Sequence, residues 1–554
     1  MNSTVDELAA AVARWASDRP DTPACIALTH TGRDRSPTAL TYRELHSAAG
    51  ALAERIRSLT APDDRVAILC RHGTDYVVAF LACLYSNRVA VPLYPMSQRN
   101  AGRLASALRD AAPTLLLTSA GAERPSIEGD LAFDRTLTVS IHDRPDEVVI
   151  DPVADHPAYL QYSGGAEGTM VTHANLAAAL EQLRTRLPVV GRKPVVGWLP
   201  YHHDLGLVVT LALPLYSGVA AITLPPTEFI ERPIRWLRAC GDYRAGTTAS
   251  PNSGLTLAVS ATTADERADL DLSELELLLG GAEPSRAEAL SAFTRSFAPY
   301  GFRHRAHTPC YGPLTATRAV TCTEPDDEPV SEEFDRLELA AGRAVPAPDG
   351  VALTGYGTSL GQSVRVVDPI RHCALGAGRV GEIWVAGPTV CAGHFRRPRS
   401  AAFRAALPRS AEAWLRTGDL GFFHNGQLYV AGRLKDMIVI GDHSHYPADI
   451  EATAADSSPD VRGDRIAAFG IDDGEHESLV VVAEIDDQLA DPADVVRRIH
   501  AAVAAAHDIT PTDVVLVPRG QLPKTTDAPR RRSECRTRYR NGALARVGDP
   551  AASP

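Results

Sequence analysis

The sequence predicts an α/β protein: a large N-terminal domain of mainly parallel sheets with helices and a β-rich subdomain, then a small C-terminal α+β domain. Three observations lead there. Short apolar runs alternate with helical stretches through the first half of the chain, the texture turns after about Leu360 to short strands between Gly and Pro turns, and a new set of strands with one long helix begins after Asp436.

The first alternation starts near Arg65. Residues 66–70 read as a strand, 76–85 as a helix, 89–93 as a second strand, and a further helix closes near Asp110 before a third run at 115–117. Parallel strands need a crossover between them, so runs of this length separated by helices are βαβ units. The pattern returns at 195–199, 220–224 and 275–279. Runs at 362–367, 380–385 and 427–430 supply the β-rich subdomain, about 355–434. Strands at 465–469 and 478–484 with a helix at 492–505 set a boundary near Lys435. The expected domains are thus 1–434, a small 435–545, and a disordered Ala-, Gly- and Pro-rich tail, 546–554.

Composition excludes several classes. A chain of 554 residues that is 45% hydrophobic and 22% charged has ordinary globular make-up and room for a buried site. Its net charge of −12 is spread along the sequence, which argues against nucleic acid as the main partner. Nine cysteines without a CxxC pair read as scattered, reduced thiols. The N-terminal stretch reads as an amphipathic helix with acidic residues, unlike a signal peptide, and no segment reaches the roughly 18 apolar residues of a membrane span. A cytoplasmic protein is expected.

Seven short segments carry the chemistry. They are Leu160-Gln161-Tyr162; Trp198-Leu199-Pro200-Tyr201-His202-His203-Asp204-Leu205-Gly206-Leu207; Gly280-Gly281-Ala282-Glu283-Pro284; Tyr311-Gly312; Arg416-Thr417-Gly418-Asp419-Leu420-Gly421; Gly432-Arg433-Leu434-Lys435-Asp436; and His445-Tyr446-Pro447 with Asp449-Ile450-Glu451. Taken singly, TGDL or GRLKD is an ordinary turn sequence, Gly supplying φ > 0 and Asp a local hydrogen bond. A lone HHD is a hydrogen-bonded cluster as readily as a site, and no further ligand stands at a spacing that suggests zinc. In this order, over about residues 5–545, the segments resemble the adenylate-forming superfamily of acyl-CoA synthetases, peptide-synthetase adenylation domains and luciferases, and most closely its fatty acyl-AMP ligases.

That resemblance implies activation of a carboxylic acid by ATP and Mg²⁺ and transfer of the acyl group to a carrier thiol. It makes Tyr311 the ring that stacks on adenine, Gly281 and Gly312 further cofactor-binding positions, Asp419 the acceptor for the ribose hydroxyls, Arg433 a ribose and phosphate neighbour, and Lys435 the hinge on which the small, mobile C-terminal domain swings. His203 and Asp204 match the motif beside the acyl pocket and α-phosphate. His202, His203, Asp204 and Glu283 are the candidate acid–base groups. The stretch 334–348 falls where the fatty acyl-AMP ligases carry an insertion, which implies an acyl carrier protein as the partner.

Three departures cast doubt on ATP and Mg²⁺ as cofactors. Only ten residues separate Tyr162 from His173, and this loop, 163–172, lacks the family's Lys, its Pro and most of its hydroxyls while adding Glu167. Thr315 stands where the family has a Mg²⁺-binding Glu, and a neutral hydroxyl is a poor replacement. Pro529 aligns with the family's catalytic Lys, Lys524 belongs to the motif's opening, and the neighbouring Arg530 has different donor geometry. Removing one preorganised donor costs about 2.7–4 kcal/mol of transition-state stabilisation, so three losses predict impaired adenylation. The expectation is a divergent fatty acyl-AMP ligase-like protein that binds an acyl or carrier-bound substrate, either as a scaffold or as a catalyst of repurposed chemistry. An active ligase with compensating residues and a non-catalytic scaffold are the alternatives.

Overall fold

Apolar runs separated by helices pair in parallel, and in the computed structural model they build two sheets. The structure describes residues 6–32, 34–94, 101–121, 133, 135–145, 147–162, 167–281, 283–318, 320–397, 400–440, 443–472, 477–485, 491–523 and 528–547. The chain forms two compact units: Met1–Val330 with Tyr356–Val364 and Trp384–Thr417, and Ser331–Gly355 with Arg365–Ile383 and Gly418–Pro554.

In the first unit a nine-stranded sheet runs in the order Thr358–Ser359, Thr321–Cys322, His307–Tyr311, Leu277–Gly280, Thr247–Ala249, Val195–Gly197, Ala221–Thr223, Pro23–Thr31 and Asp34–Thr41. The six strands from His307–Tyr311 to Pro23–Thr31 are parallel, with antiparallel strands at both edges. A six-stranded sheet orders Thr136–Thr138, Leu115–Thr118, Arg65–Leu69, Val89–Pro92, Pro157–Gln161 and Thr169–Thr172, parallel except for its last pair. Strands covered on both faces read as continuous apolar runs, and Leu277, Leu278 and Leu279 are all buried. Helix Thr74–Tyr85 is apolar on every side because all of its residues but Asp75 are buried. Capping boxes start three helices, with Thr41 and Glu44, Thr172 and Asn175, and Thr263 and Glu266.

In the second unit Val461–Asp472 pairs antiparallel with Glu477–Ile485, which pairs parallel with Asp513–Val517 through the crossover helix Pro492–His507. Helices Pro447–Asp456 and Pro492–His507 cover one face through Ile450, Val495 and Ile499, and Cys535 of helix Ala528–Arg540 packs on the other against Phe469 and Val480. Residues of the 334–348 stretch belong to this unit. Phe334 ends strand Ser331–Phe334 and packs edge-on against Phe422 and Tyr429, and Asp335 caps helix Arg336–Ala340. Arg336 makes a bidentate pair with Asp449, at 2.6 and 3.0 Å. Of the tail expected to be disordered, Arg546 bonds to Asp513 at 2.6 Å and the Val547 amide donates to the Leu516 carbonyl at 2.9 Å; 548–554 lie outside the described residues. No helix among the described residues is long and apolar enough to cross a membrane.

Candidate ligand-binding site

In the first unit the motif segments gather at the carboxyl ends of the parallel strands, where open α/β sheets bind their ligands. The loop 198–204 follows Val195–Gly197, Gly281 and Glu283 follow Leu277–Gly280, and Gly312 follows His307–Tyr311. Asp204 ends its loop by capping a helix, its Oδ1 accepting from the Leu205 amide at 2.8 Å. The eight residues Leu205–Ala212 form a fully buried π-helix, a geometry that recurs at functional sites. Gly206 is required there because a Cβ would collide with the Pro200 carbonyl. The Thr210 hydroxyl bonds back to the Gly206 carbonyl at 2.8 Å.

His202 and His203 lie with ring centroids 4.7 Å apart, and Tyr94 stands 4.8 Å from the first and 6.5 Å from the second. Burial above all, then the charges of His203, His72 and Arg103, hold the His202 imidazole well below its ordinary pKa. It is neutral at physiological pH. Its carbonyl accepts from the Gln161 side-chain Nε2, which ties the first motif segment to the histidine pair.

Arg318, which lies outside the seven motif segments, joins three of them. Its Nη1 donates to the Gly312 carbonyl at 3.1 Å and lies 3.5 Å from Asp204 Oδ2. A Cβ on Gly281 would stand 2.8 Å from its Nη2, and that buried nitrogen has no hydrogen-bond partner. Thr317 and Arg318 both occupy the left-handed region, with φ of 48° and 64°. Consecutive non-Gly residues in that region are a strained arrangement of the kind that clusters at binding sites, and this was the one available clue once the backbone was known.

Tyr311 is buried with its ring 6.2 Å from that of Tyr356, whose hydroxyl accepts from the Ser285 amide at 2.7 Å. Glu283 caps helix Asn252–Ser260 instead of standing as a free carboxylate: its Oε1 accepts from the Ser253 amide at 2.7 Å, where the helix dipole favours negative charge.

Residues 163–166 of the expected phosphate loop lie outside the described residues, but the flanks are in place. The Asp110 carboxylate accepts from the Tyr162 hydroxyl at 2.8 Å and from the Gly168 amide at 3.0 Å. Glu167 pairs with Arg397 at 2.6 Å on the surface. Thr315 sits in the turn Leu314–Ala316, where its carbonyl accepts from the Cys391 amide at 2.9 Å.

In the second unit the turn Asn425-Gly426, with φ of 47° and 79°, joins Leu415–His424 to Gln427–Arg433, as two residues at positive φ do in a tight hairpin. The resulting register, with an irregularity at Leu420/Gly421, sets Asp419 opposite Arg433, and Arg433 Nε lies 3.2 Å from Asp419 Oδ1. Lys435 is exposed in the next turn, Leu434–Asp436, beside the buried Asp436. Lys524 lies outside the described residues, and Pro529 stands in the first turn of helix Ala528–Arg540. The structure therefore brings His202, His203, Asp204, Gly281 and Gly312 around one loop cluster of the first unit, and Asp419, Arg433 and Lys435 into one stretch of the second.

A large doubly sheeted unit with its motifs at the strand ends, followed by a small α+β unit, is the architecture of the adenylate-forming enzymes. The AMP-binding enzyme family model matches residues 12–395, and that of the AMP domain of Disco-interacting protein 2-like proteins matches 435–547. The chain belongs to the AMP-binding enzyme family. Within it, the similarity runs to the fatty acyl-AMP ligases. The 4-hydroxyphenylalkanoate adenylyltransferase of Mycobacterium marinum is 34% identical, with 92% of this chain and 87% of that protein covered. The long-chain-fatty-acid–AMP ligase FadD26 of the same organism is 33% identical over 92% of each. Among solved structures, the fatty acid AMP ligase from Legionella pneumophila matches with a TM-score of 0.74 and 29% identity, covering 98% of this chain and 97% of that one.

Proposed function

We propose that this fatty acyl-AMP ligase-like protein binds an acyl-adenylate, or an acyl group presented by a carrier protein, in the cytoplasm and is impaired in ATP-dependent adenylation. The carrying observation is Asp110, whose carboxylate takes the Gly168 amide at the edge of the phosphate loop. An amide so engaged is not offered to a phosphate, and a carboxylate beside it repels one. Glu167 is a second carboxylate at this edge, its charge matched at the surface by Arg397, and Thr315 brings no carboxylate for a metal. The triphosphate and its Mg²⁺ therefore fit this residue set poorly, while the residues that the resemblance assigns to adenosine persist in each unit, Tyr311 in the first and Asp419 and Arg433 in the second. His203 and Asp204 border the acyl and phosphate ends, Lys435 serves as the hinge, and 334–348 accompanies delivery to a carrier protein.

Calorimetric titration tests the reading. ATP with Mg²⁺ is expected to give no saturable heat, while a non-hydrolysable acyl-adenylate analogue binds. Tight ATP–Mg²⁺ binding would sink the proposal, and so would failure of the analogue to bind.

Arg318 favours a second reading, an active ligase in which this guanidinium replaces a lost cation, because it stands between the segments of Asp204, Gly281 and Gly312. On that reading the wild-type protein forms acyl-adenylate from fatty acid and ATP, and Arg318→Leu lowers the rate by about 10²–10³-fold. A wild-type protein without turnover, or a variant with undiminished turnover, removes it.

A further inference from the structure

The nine cysteines were expected to be scattered, yet two of them meet. Cys310 and Cys322 are register partners on adjacent antiparallel strands, His307–Tyr311 and Thr321–Cys322. The Thr323 amide donates to the Pro309 carbonyl at 3.1 Å, on the flank of the pair, which makes it a non-hydrogen-bonded pair. In such pairs the Cα atoms stand about 4.5 Å apart with side chains close, inside the range a disulfide spans. The two sulfurs are 2.8 Å apart, closer than non-bonded sulfurs ordinarily rest. Neither the spacing of twelve residues nor any CxxC signal announces this in the sequence.

We propose that Cys310 and Cys322 are a reversible dithiol–disulfide pair, oxidised by a peroxide, that tethers the two ends of the loop carrying Tyr311, Gly312 and Arg318. Cys310 is only half-buried and is the sulfur a small oxidant reaches, whereas Cys322 is fully buried. The contact with Cys310, together with burial, keeps the Cys322 thiol well above its ordinary pKa, so it enters second. The Cys310 thiolate attacks one peroxide oxygen, the O–O bond breaks, and water leaves after protonation to give the sulfenic acid. Cys322 sulfur then attacks Cys310 sulfur, the S–O bond breaks, and a second water departs with the Cys322 proton. Two thiols are oxidised and one peroxide is reduced to two waters.

Mass spectrometry on the full chain tests this. After brief treatment with dilute hydrogen peroxide and alkylation, the peptides holding Cys310 and Cys322 are expected to be joined, lighter by about 2 Da than the dithiol pair and separated again by dithiothreitol. In Cys322→Ser the same treatment leaves Cys310 as an unjoined sulfenic acid. Amide exchange across 311–321 is expected to slow in the oxidised wild type, a readout that needs no variant to fold. Full alkylation of both thiols after peroxide, or joining of Cys310 to another cysteine, overturns the pairing. Unchanged exchange in the joined form overturns the tether.

Discussion

Replacing Arg532 with leucine is expected to cost the second unit about 3–5 kcal/mol, because it strands two carboxylates in a low-dielectric interior. Arg532 makes a bidentate pair with Glu451, at 2.7 and 2.8 Å, and lies 3.6 Å from Asp436 Oδ2. The three side chains are 8%, 13% and 6% exposed. Glu451 also accepts from the Ala468 amide, so one residue ties helix Pro447–Asp456 to the edge strand Val461–Asp472 as well as to the last helix. Arg532→Lys keeps the charge but not the fork, and should fall between the wild type and leucine. All five tryptophans lie in the first unit, so amide exchange in helix Ala528–Arg540 is the suitable probe. A leucine variant whose helix exchanges at the wild-type rate would show that the network adds little.

Acidification from pH 7.5 to 5.5 is the second large effect. Burial pushes His72 and His307 down to about 3, and His173 and His507 down to about 4. Each is neutral in the folded chain but takes up a proton at about 6.5 once unfolded. Below that value the unfolded state binds more protons, so the stability these groups confer is full above about pH 6.5 and falls as the pH drops towards 4. One such group loses about 1.4 kcal/mol by pH 5.5, and four lose on the order of 5 kcal/mol before most carboxylates titrate. The thermal midpoint should therefore drop steeply across this interval, and less so in His72→Gln. A midpoint that stays flat to pH 5.5 would contradict the burial of these rings.

Much of the fold was legible because parallel strands and their crossovers write themselves as separated apolar runs. The expected strand at 115–117 is Leu115–Thr118, and the expected helix at 492–505 is Pro492–His507. What could not be read was non-local or conformational. An apolar stretch such as Leu205–Ala212 has the same composition in an α-helix as in a π-helix. The acceptor for the Gly168 amide is Asp110, 58 residues earlier, where no motif points. Arg318 lies beyond the Tyr311-Gly312 segment and Thr315, and its reach to Asp204 depends on a positive φ that nothing in the residue type suggests. Glu283 belongs to a recognised motif, yet the role visible for it is a helix cap, which sequence alone does not separate from an acid–base group.

Asp110 is a built-in competitor for any anion at the Gly168 amide. Its carboxylate is held in the chain beside the Gly168 amide at 3.0 Å, and tethered groups act at effective concentrations on the order of millimolar or higher. A diffusing phosphate must outcompete a resident that never dilutes. The local concentration of that competitor is fixed by covalent connectivity and does not fall when the protein is diluted.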